Sequence, residues 1–391
     1  MIVNNQVAGA AVHQPHAAIP AVRADAGVRI RETRFDDFEQ IALLDHRYGM
    51  ESKDRDEWVR LWIGNPAYIA NRQSWPLGWV LEADNGTIVG YIGNIPMWYQ
   101  FWGTRLLAAI ARGWVVDSEY RSRSFLLVTR YFKQAGVDLF LTNTAGPVAA
   151  RTFRAFGGFS PPGDTWDKSL YWVTNYRGFV SAVISKLGHR IPRSLTPALA
   201  GGLFCADAIR GRRFCSSFLS VEPEWCTSFD SRFDEFWGAL QGGSKSLMAV
   251  RSRDVLDWRF GEALRKGRAW VVSMCDGPRI LAYAIFVRAD NPVHNLTRMT
   301  LADLQVLDRK YSYIQPMLAS AYRRCKQERI HVLESIGFSE EKRAALTELM
   351  PFTRTPQLGS YCCKVRNSDL ASALRDQAVW DPSCLDGDAC L

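Results

Sequence analysis

The chain has 391 residues, of which 47% are hydrophobic and 23% are charged, and its formal net charge is +8 at pH 7. This length exceeds the ~250–300 residues at which a single hydrophobic core stops growing, so we expect two folded domains. No segment approaches the ~18 uninterrupted apolar residues of a membrane span, and the nine cysteines show no metal-ligand spacing. The composition therefore excludes an integral membrane protein and favours a cytoplasmic protein with reduced thiols and no bound metal.

Apolar periodicity and turn residues predict alternating strands and helices in the first half of the chain. Pro147 at a first helical turn and Gly136 just beyond a helix are typical start and stop signals. The predicted strands cover 28–32, 77–83, 87–98, 106–116, 137–141 and a closing strand near 170–173. The predicted helices begin near 35 and at Pro147, and cover 55–63 and 125–134.

A basic connector follows, with two short amphipathic stretches at 179–187 and 195–209. We expect it to pack between the domains, although docking on a membrane surface is an open alternative that Asp207 and the pair Gly201-Gly202 weaken. Beyond the connector the predicted helices cover 230–240, 254–264, 313–326 and 340–350, and the predicted strands include 298–307, 330–333 and 360–365.

One sequence pattern, centred on a predicted hairpin, occurs twice in the chain. A hairpin with an Asn85-Gly86 turn runs from Trp79 to Tyr91, and a similar hairpin with an Asp276-Gly277 turn runs from Trp270 to Tyr283. Further matches in the same order favour a duplicated unit. The predicted organisation is a flexible leader (1–27), a first domain (28–175), a helical basic connector (176–221), a second domain (222–366) and an acidic tail (367–391).

Positive charge is concentrated in the middle of the chain. Between Phe101 and Ser220 there are 16 Lys and Arg against 6 Asp and Glu. Such a belt fits a phosphorylated cofactor, an acidic carrier protein, RNA or an anionic membrane surface. A solvated face that has become basic without a partner is the alternative.

Three segments carry a resemblance to a known family. They are Val115 to Ser124 (Val-Val-Asp-Ser-Glu-Tyr-Arg-Ser-Arg-Ser), the pair Thr142-Asn143, and Phe153 to Phe159 (Phe-Arg-Ala-Phe-Gly-Gly-Phe). With the order of predicted elements, they resemble the N-acyltransferase superfamily known as GNAT. The resemblance extends more faintly to the second domain through residues 254–260. It implies an α/β (α+β) fold with two GNAT-like lobes, each a mixed, mostly antiparallel sheet flanked by helices.

The turn after the long strand is the predicted donor site. Backbone N–H groups at a helix N-terminus bind phosphate, and neighbouring arginines would strengthen this for the pyrophosphate of coenzyme A or the phosphopantetheine of a carrier protein. In the family small residues follow the first arginine, and Ser122, Ser124 and Leu126 stand in those places here. The predicted cofactor-binding residues are Val115, Val116, Arg121, Ser122, Arg123, Ser124 and Asn143. The corresponding turn of the second domain, 308–313, has no glycine, so we do not expect it to hold the donor.

The resemblance implies attack of an amine on a thioester. A backbone N–H of the long strand near 114–116 would polarise the carbonyl. The family's acidic Tyr is replaced by Phe153, so Tyr120, Tyr131 or Ser118 would have to act in its place. Asp117 and Glu119 flank the turn as candidate bases, and proton loss to water is an alternative. Tyr120, Asp117 and Glu119 are the predicted catalytic residues.

Asp303 is the predicted acceptor-binding residue. It stands among Leu301, Leu304 and Val306 on the long strand of the second domain. A carboxylate there either faces a cleft and binds the amine or is paired with an arginine, for which Arg298 or Arg259 are candidates.

These observations predict an N-acyltransferase that moves an acyl group from coenzyme A, or from an acidic acyl carrier protein, to an amine of a small molecule, amino sugar or amino acid. The thioester would be a co-substrate, with no tightly bound cofactor. A tRNA-dependent aminoacyl transferase of the peptidoglycan-bridge type is an alternative that the basic belt favours. A non-catalytic GNAT-like binding module is a second alternative, which Phe153 and Leu126 favour.

Overall fold

The computed structural model describes residues 27–50, 53–163, 168–188, 192–209, 222–355 and 359–391, so nearly all of the predicted leader lies outside the described residues. The strands are β1 (Val28–Glu32), β2 (Gly78–Ala83), β3 (Ile88–Phe101), β4 (Thr104–Val116), β5 (Leu139–Ala145), β6 (Ser169–Val173), β7 (Glu224–Cys226), β8 (Met248–Ala249), β9 (Ala269–Asp276), β10 (Arg279–Arg288), β11 (Arg298–Val306), β12 (Val332–Ile336), β13 (Phe352–Arg354) and β14 (Ser360–Val365).

Helices connect and cover these strands. They are α1 (Phe38–Arg47), α2 (Arg55–Arg60), α3 (Pro66–Asn71), α4 (Ser124–Lys133), α5 (Pro147–Ala155), α6 (Tyr176–Lys186), α7 (Thr196–Ile209), α8 (Ser231–Gly243), α9 (Arg253–Leu256), α10 (Glu262–Arg265), α11 (Ile314–Gln327), α12 (Glu340–Thr347) and α13 (Ser368–Ala373). Local signals explain several of the boundaries. Asn65, for example, accepts from the backbone N–H of Ala67 and precedes Pro66 at the first position of α3.

The strands form two seven-stranded sheets. The first has the order β1-β2-β3-β4-β5-β14, with β8 added beside β3, and the second has the order β13-β6-β12-β11-β10-β9-β7. Within the described residues the parallel contacts are β4 with β5 and β11 with β12. The predicted class, two mixed and mostly antiparallel sheets flanked by helices, is confirmed. We call the first sheet with its helices the first lobe, and the second sheet with its helices the second lobe.

The two lobes exchange one strand each. Strand β6 follows the first lobe in sequence but pairs with β12 and β13 of the second sheet. Strand β14 follows the second lobe but pairs with β5 of the first sheet. The prediction that 170–173 closes the first domain and that 360–365 closes the second is therefore wrong. Both strands are short and mostly apolar, so the sequence pattern of each suits either sheet.

Three apolar layers hold the sheets and helices together. The outer face of the first sheet packs under α4 and α5 through Val128, Tyr131, Phe140 and Phe153. The outer face of the second sheet packs under α11 and α12 in the same way. The inner faces of both sheets share a single core, in which Tyr99 and Leu141 of the first lobe join Phe233, Tyr283 and others of the second. The two lobes are therefore one packed body.

The predicted acidic tail is folded into this shared core. Helix α13 begins after Asn367, whose side chain caps it. Leu374, Trp380 and Leu385 are then almost completely buried between the lobes. The sequence prediction failed because these apolar side chains are widely spaced and follow no helical or strand period. We call residues 381–391 the C-terminal segment.

The connector packs differently from the prediction as well. Helices α6 and α7 contact each other through Val180, Ile184 and Ala200. Helix α6 also covers the edge of the second sheet, where Ala182 contacts Val332. The hairpin of α6 and α7 thus belongs to the second lobe. Over the described part of the chain, no helix combines the length and apolarity that crossing a membrane requires.

Candidate functional site

The first lobe has an opening in its sheet between β4 and β5. These strands pair in parallel only at Ala108, Ala109 and Ile110 of β4. The rest of β4 continues to Val116 without a ladder partner on that side among the described residues, while its other side stays paired with β3. A strand that diverges from its neighbour leaves backbone N–H and C=O groups directed into the gap.

A bulge changes the direction of β4 just before its end. Between the pairs Arg112 with Gly93 and Val115 with Tyr91, β4 carries one residue more than β3. Gly113 lies in this bulge with a φ of +70°, a conformation that glycine adopts without cost. The amide of Asp117 donates to the Val89 carbonyl of β3 at 2.8 Å. Because amide directions alternate along a strand, the N–H of Val116 points away from β3 and into the opening.

The predicted donor turn follows directly. A 3-10 helix from Ser118 to Arg123 leads into α4, which begins at Ser124. Arg121 and Ser122 are exposed, and the Arg121 side chain has no hydrogen bond or ion pair to any described residue. Leu126 packs against the outer core of the first lobe, so its side chain is directed into the protein. The turn therefore combines a helix N-terminus with an unpaired arginine at the mouth of the opening.

The predicted catalytic carboxylates have different surroundings. Asp117 accepts two 2.8 Å hydrogen bonds from Arg47 and a third, at 3.1 Å, from the Tyr48 hydroxyl. That hydroxyl also receives the Ser118 amide at 2.9 Å. Asp117 thus fixes the start of the turn, which is a structural use of its charge. Glu119 is exposed on the 3-10 helix.

The candidate acids also differ clearly in how deeply they are buried. Tyr131 is fully buried and donates to the Ala109 carbonyl at 2.6 Å, at the point where β4 and β5 part. Burial raises the pKa of Tyr131 well above its ordinary value, so this hydroxyl is not a proton source at neutral pH. Phe153 is 3% exposed and packs beside it. Tyr120 is half-buried on the turn, so of these three side chains it has the best access to the opening.

Sequence analysis missed a third carboxyl group beside β4. Asp45 on α1 is 5% exposed, and its Oδ1 has no hydrogen-bond partner. Burial raises the pKa of Asp45 to about 6, against the opposing charge of Arg112 on β4. An Asp in an amphipathic helix is indistinguishable in sequence from a solvated one. The only signal was its position next to Leu44, on the apolar face of α1.

The other strand of the opening is covered by the C-terminal segment. The Asp388 carboxylate accepts from the Asn143 amide at 2.8 Å and from the hydroxyls of Thr142 and Thr144. The Asn143 side chain accepts from the Ala389 amide at 2.8 Å. Asn143, a predicted cofactor-binding residue, therefore lies at the opening but has both its amide and its side-chain oxygen engaged.

The second lobe has an equivalent opening between β11 and β12, and it is filled. Strands β11 and β12 pair from Arg298 to Leu301. A bulge at Ala302 separates this paired stretch from the rest of β11. The Leu385 amide of the C-terminal segment donates to the Ala302 carbonyl at 3.3 Å. The Lys342 ammonium donates to the Leu304 carbonyl, the next one on the same side of β11, at 2.6 Å. Two carbonyls on this side of β11 thus have partners, unlike the corresponding side of β4 beyond Ile110.

Asp303 lies inside this filled region and not in a cleft. It is 0% exposed and accepts from Arg251 at 3.0 Å and from the Tyr283 hydroxyl at 2.8 Å. Burial opposes its ionisation, but the Arg251 guanidinium prevails and holds the pKa of this carboxyl below its ordinary value. Arg251 also binds Asp386 of the C-terminal segment at 2.8 Å. The prediction that Asp303 binds the acceptor is therefore wrong. Asp303 is paired with an arginine, but its partner is Arg251 and not Arg298 or Arg259.

Comparisons with known proteins agree with this fold. No family model matches the chain, and no curated protein matches its sequence. Among solved structures, the chain is similar to a GCN5-related N-acetyltransferase from Kribbella flavida, at 12% identity and a TM-score of 0.54 over 89% of this chain and 74% of that one. It is also similar to the Saccharomyces cerevisiae N-myristoyltransferase with bound myristoyl-CoA, at 11% identity and a TM-score of 0.54 over 91% of this chain and 81% of that one. The chain therefore has the GNAT-like fold that the sequence predicted.

Proposed function

We propose that the chain is an N-acyltransferase that moves an acyl group from coenzyme A, or from a carrier-protein thioester, to an amine. The observation that carries the proposal is the opening beside β4, where this strand has no ladder partner among the described residues before the turn with Arg121. The Saccharomyces cerevisiae structure of similar fold is described with myristoyl-CoA bound, which supports a thioester donor here.

The first lobe would hold the donor. The diphosphate would lie at the start of α4, where the helix dipole favours a negative charge. Arg121 is exposed and unpaired among the described residues, so binding it requires no existing contact to break. Arg123, Ser122 and Ser124 stand beside it, and the extended arm of the donor would follow β4 into the opening.

Reaction would occur at the inner end of β4. The Val116 N–H is directed into the opening, so it would donate to the thioester oxygen as negative charge develops there. The C–S bond breaks as the amine nitrogen bonds to the carbonyl carbon. A thiol has an ordinary pKa of about 8.5, so the thiolate leaves at neutral pH with little assistance, and Tyr120 is the nearest candidate to protonate it.

The amine must lose a proton, and Asp45 suits this role better than Asp117. A base acts best when its pKa lies near the working pH, and the pKa of Asp45 is raised to about 6 by burial. Asp117 is engaged by Arg47 and Tyr48. Helix α1 packs on β3 and β4, which places Asp45 on the inner face of the first sheet. Asp45 would take the proton directly or through a bound water.

Calorimetric titration of the full chain with coenzyme A, acetyl-CoA and a long-chain acyl-CoA tests the proposal. We expect saturable binding of the thioesters, and amide formation when an amine is added. Binding of tRNA without any binding of coenzyme A would replace the proposal with the aminoacyl transferase. Binding of neither would leave a non-catalytic module. Binding of a phosphopantetheinylated carrier protein alone would keep the acyl transfer and change the donor.

A further inference from the structure

The exposed side of α7 is apolar and carries no charge. The buried residues of α7 are Thr196, Ala200 and Asp207, of which Ala200 and Asp207 contact α6; the Phe204 ring also touches Tyr176 at its edge. The outward residues are all uncharged, namely Pro197, Ala198, Leu199, Gly201, Gly202, Phe204, Cys205, Ala206 and Ile209. Among them Leu199 is 42% exposed, Phe204 is 56% exposed and Ile209 is 86% exposed. A helix that turns its large apolar side chains to solvent marks an interaction surface.

The orientation of Asp207 removes the main objection to membrane docking. This is the only charged residue of α7, and its side chain points toward α6. Its carboxylate accepts from the Tyr176 hydroxyl at 2.5 Å, and the residue is 5% exposed. Burial and this hydrogen bond raise the pKa of Tyr176. The charge that would have opposed insertion of α7 is thus turned toward α6, where the Tyr176 hydroxyl binds one of its oxygens.

The sequence around the hairpin of α6 and α7 is positively charged. In sequence, residues 176–213 contain seven Lys and Arg against one Asp; Arg210, Arg212 and Arg213 follow Ile209 but lie outside the described residues. Arg177 at the start of α6 is exposed. An apolar helix face with flanking cations is typical of helices that lie in the surface of an anionic membrane. A second copy of the chain would bring the same positive charge against this face, so repulsion disfavours that occupant.

We propose that α7 docks the protein on an anionic lipid surface, with Leu199, Phe204 and Ile209 inserted at the head-group boundary. Helix α6 packs on the edge of the second sheet, so docking would hold the second lobe at the membrane. The acyl-transfer site of the first lobe plays no part in this surface. The proposal therefore stands or fails independently of the proposed enzyme activity.

Sedimentation with vesicles tests the proposal on the full chain. We expect the protein to pellet with phosphatidylcholine vesicles that contain phosphatidylglycerol, and to pellet less in high salt. The double variant Leu199→Ser and Phe204→Ser should bind at least about tenfold more weakly, because two inserted apolar side chains are lost. Leu43→Ser with Val148→Ser is the matched control, since both residues are similarly exposed apolar residues of the first lobe, at 66% and 64%. This control should bind as the wild type does.

Three results would overturn the docking surface. The first is no binding to phosphatidylglycerol vesicles, and the second is equal binding by the α7 variant and the wild type. The third is a concentration-dependent dimer in light scattering that the α7 variant abolishes, which would assign the face to a second copy. Circular dichroism of both double variants confirms that each is folded, so loss of binding is not loss of structure.

Discussion

The two lobes share a bulged central strand and a divergent neighbour, but only one of them keeps its opening available. In the first lobe the bulge at Gly113 precedes a stretch of β4 whose inward side is unpaired within the described residues. In the second lobe the bulge at Ala302 is followed by carbonyls that accept from Leu385 and Lys342. Two similarly built sheets can thus differ in whether the backbone beside the central strand has a partner among the described residues.

The difference between the lobes is maintained by one buried ionic cluster. Arg251 is 1% exposed and binds Asp303 of β11 and Asp386 of the C-terminal segment. Asp386 also receives the Ala249 amide at 2.7 Å. This cluster fixes the C-terminal segment in the second opening, and the same segment then continues to β5 of the first. One segment therefore fills one site and borders the other.

The largest expected effect is the loss of this cluster. Arg251→Met should lower the free energy of unfolding by about 3–5 kcal/mol, because two carboxylates are left buried without their cation. Denaturant unfolding measures the change. The matched control is Arg253→Ala, whose side chain is 45% exposed, and it should change stability by less than ~0.5 kcal/mol. Equal effects of the two changes would show that the cluster does not hold the segment.

A smaller effect is expected on donor binding. Arg121→Ala with Arg123→Ala should weaken coenzyme A or carrier binding, since each charge-assisted hydrogen bond contributes roughly 1.5–3 kcal/mol. Arg309→Ala with Lys310→Ala changes the corresponding turn of the second lobe and should leave the affinity unchanged. Calorimetry compares both pairs. A dissociation constant shifted more than about tenfold by the second pair alone would reverse the assignment of the lobes.

The third prediction concerns pH and Asp45. The pKa of Asp45 is raised to about 6 in the folded protein, above the ~3.9 of an unfolded chain. Its contribution to stability is therefore complete below about pH 4 and is lost as the pH rises through about 6. Asp45→Asn should stabilise the protein at pH 8 by on the order of 2 kcal/mol and not at pH 4.

Activity measurements distinguish a catalytic role of Asp45 from a purely structural one. If it is the base, Asp45→Asn should also lower kcat and remove the limb of the pH–rate profile near pH 6. Stabilisation with an unchanged pH–rate profile would restrict Asp45 to a structural part. Glu119→Gln is the control, because it removes the charge of an exposed carboxylate on the turn itself.

The smallest effects should come from the tyrosines and Phe153. Tyr131→Phe removes a buried hydrogen bond to Ala109 and should cost about 1 kcal/mol of stability, with little change in turnover. Tyr120→Phe should reduce turnover more than Tyr131→Phe. Phe153→Tyr should change turnover by less than tenfold, because the thiolate leaves readily. A hundredfold gain would instead identify a lobe that has lost its acid and favour the non-catalytic module.

The sequence by itself determined the local elements and the class of fold. The Asn85-Gly86 and Asp276-Gly277 turns specify hairpins through backbone conformation, and the repeated order of elements specified two similar sheets. It also predicted a turn and a helix start after the long strand β4, because a strand end followed by closely spaced arginines is a local pattern. These features depend on residues that are neighbours in the chain, which is why they could be predicted.

Tertiary structure alone decided which groups remain available for chemistry. Strands β6 and β14 suit either sheet, and only the packed lobes show that they are exchanged. Asp303 and Asp45 are both carboxylates on apolar faces, yet one is neutralised by Arg251 while the other lacks a partner for Oδ1. That distinction depends on a residue 52 positions away. Burial and charge pairing arise between distant segments, so they set the pKa values and the open site only once the chain has folded.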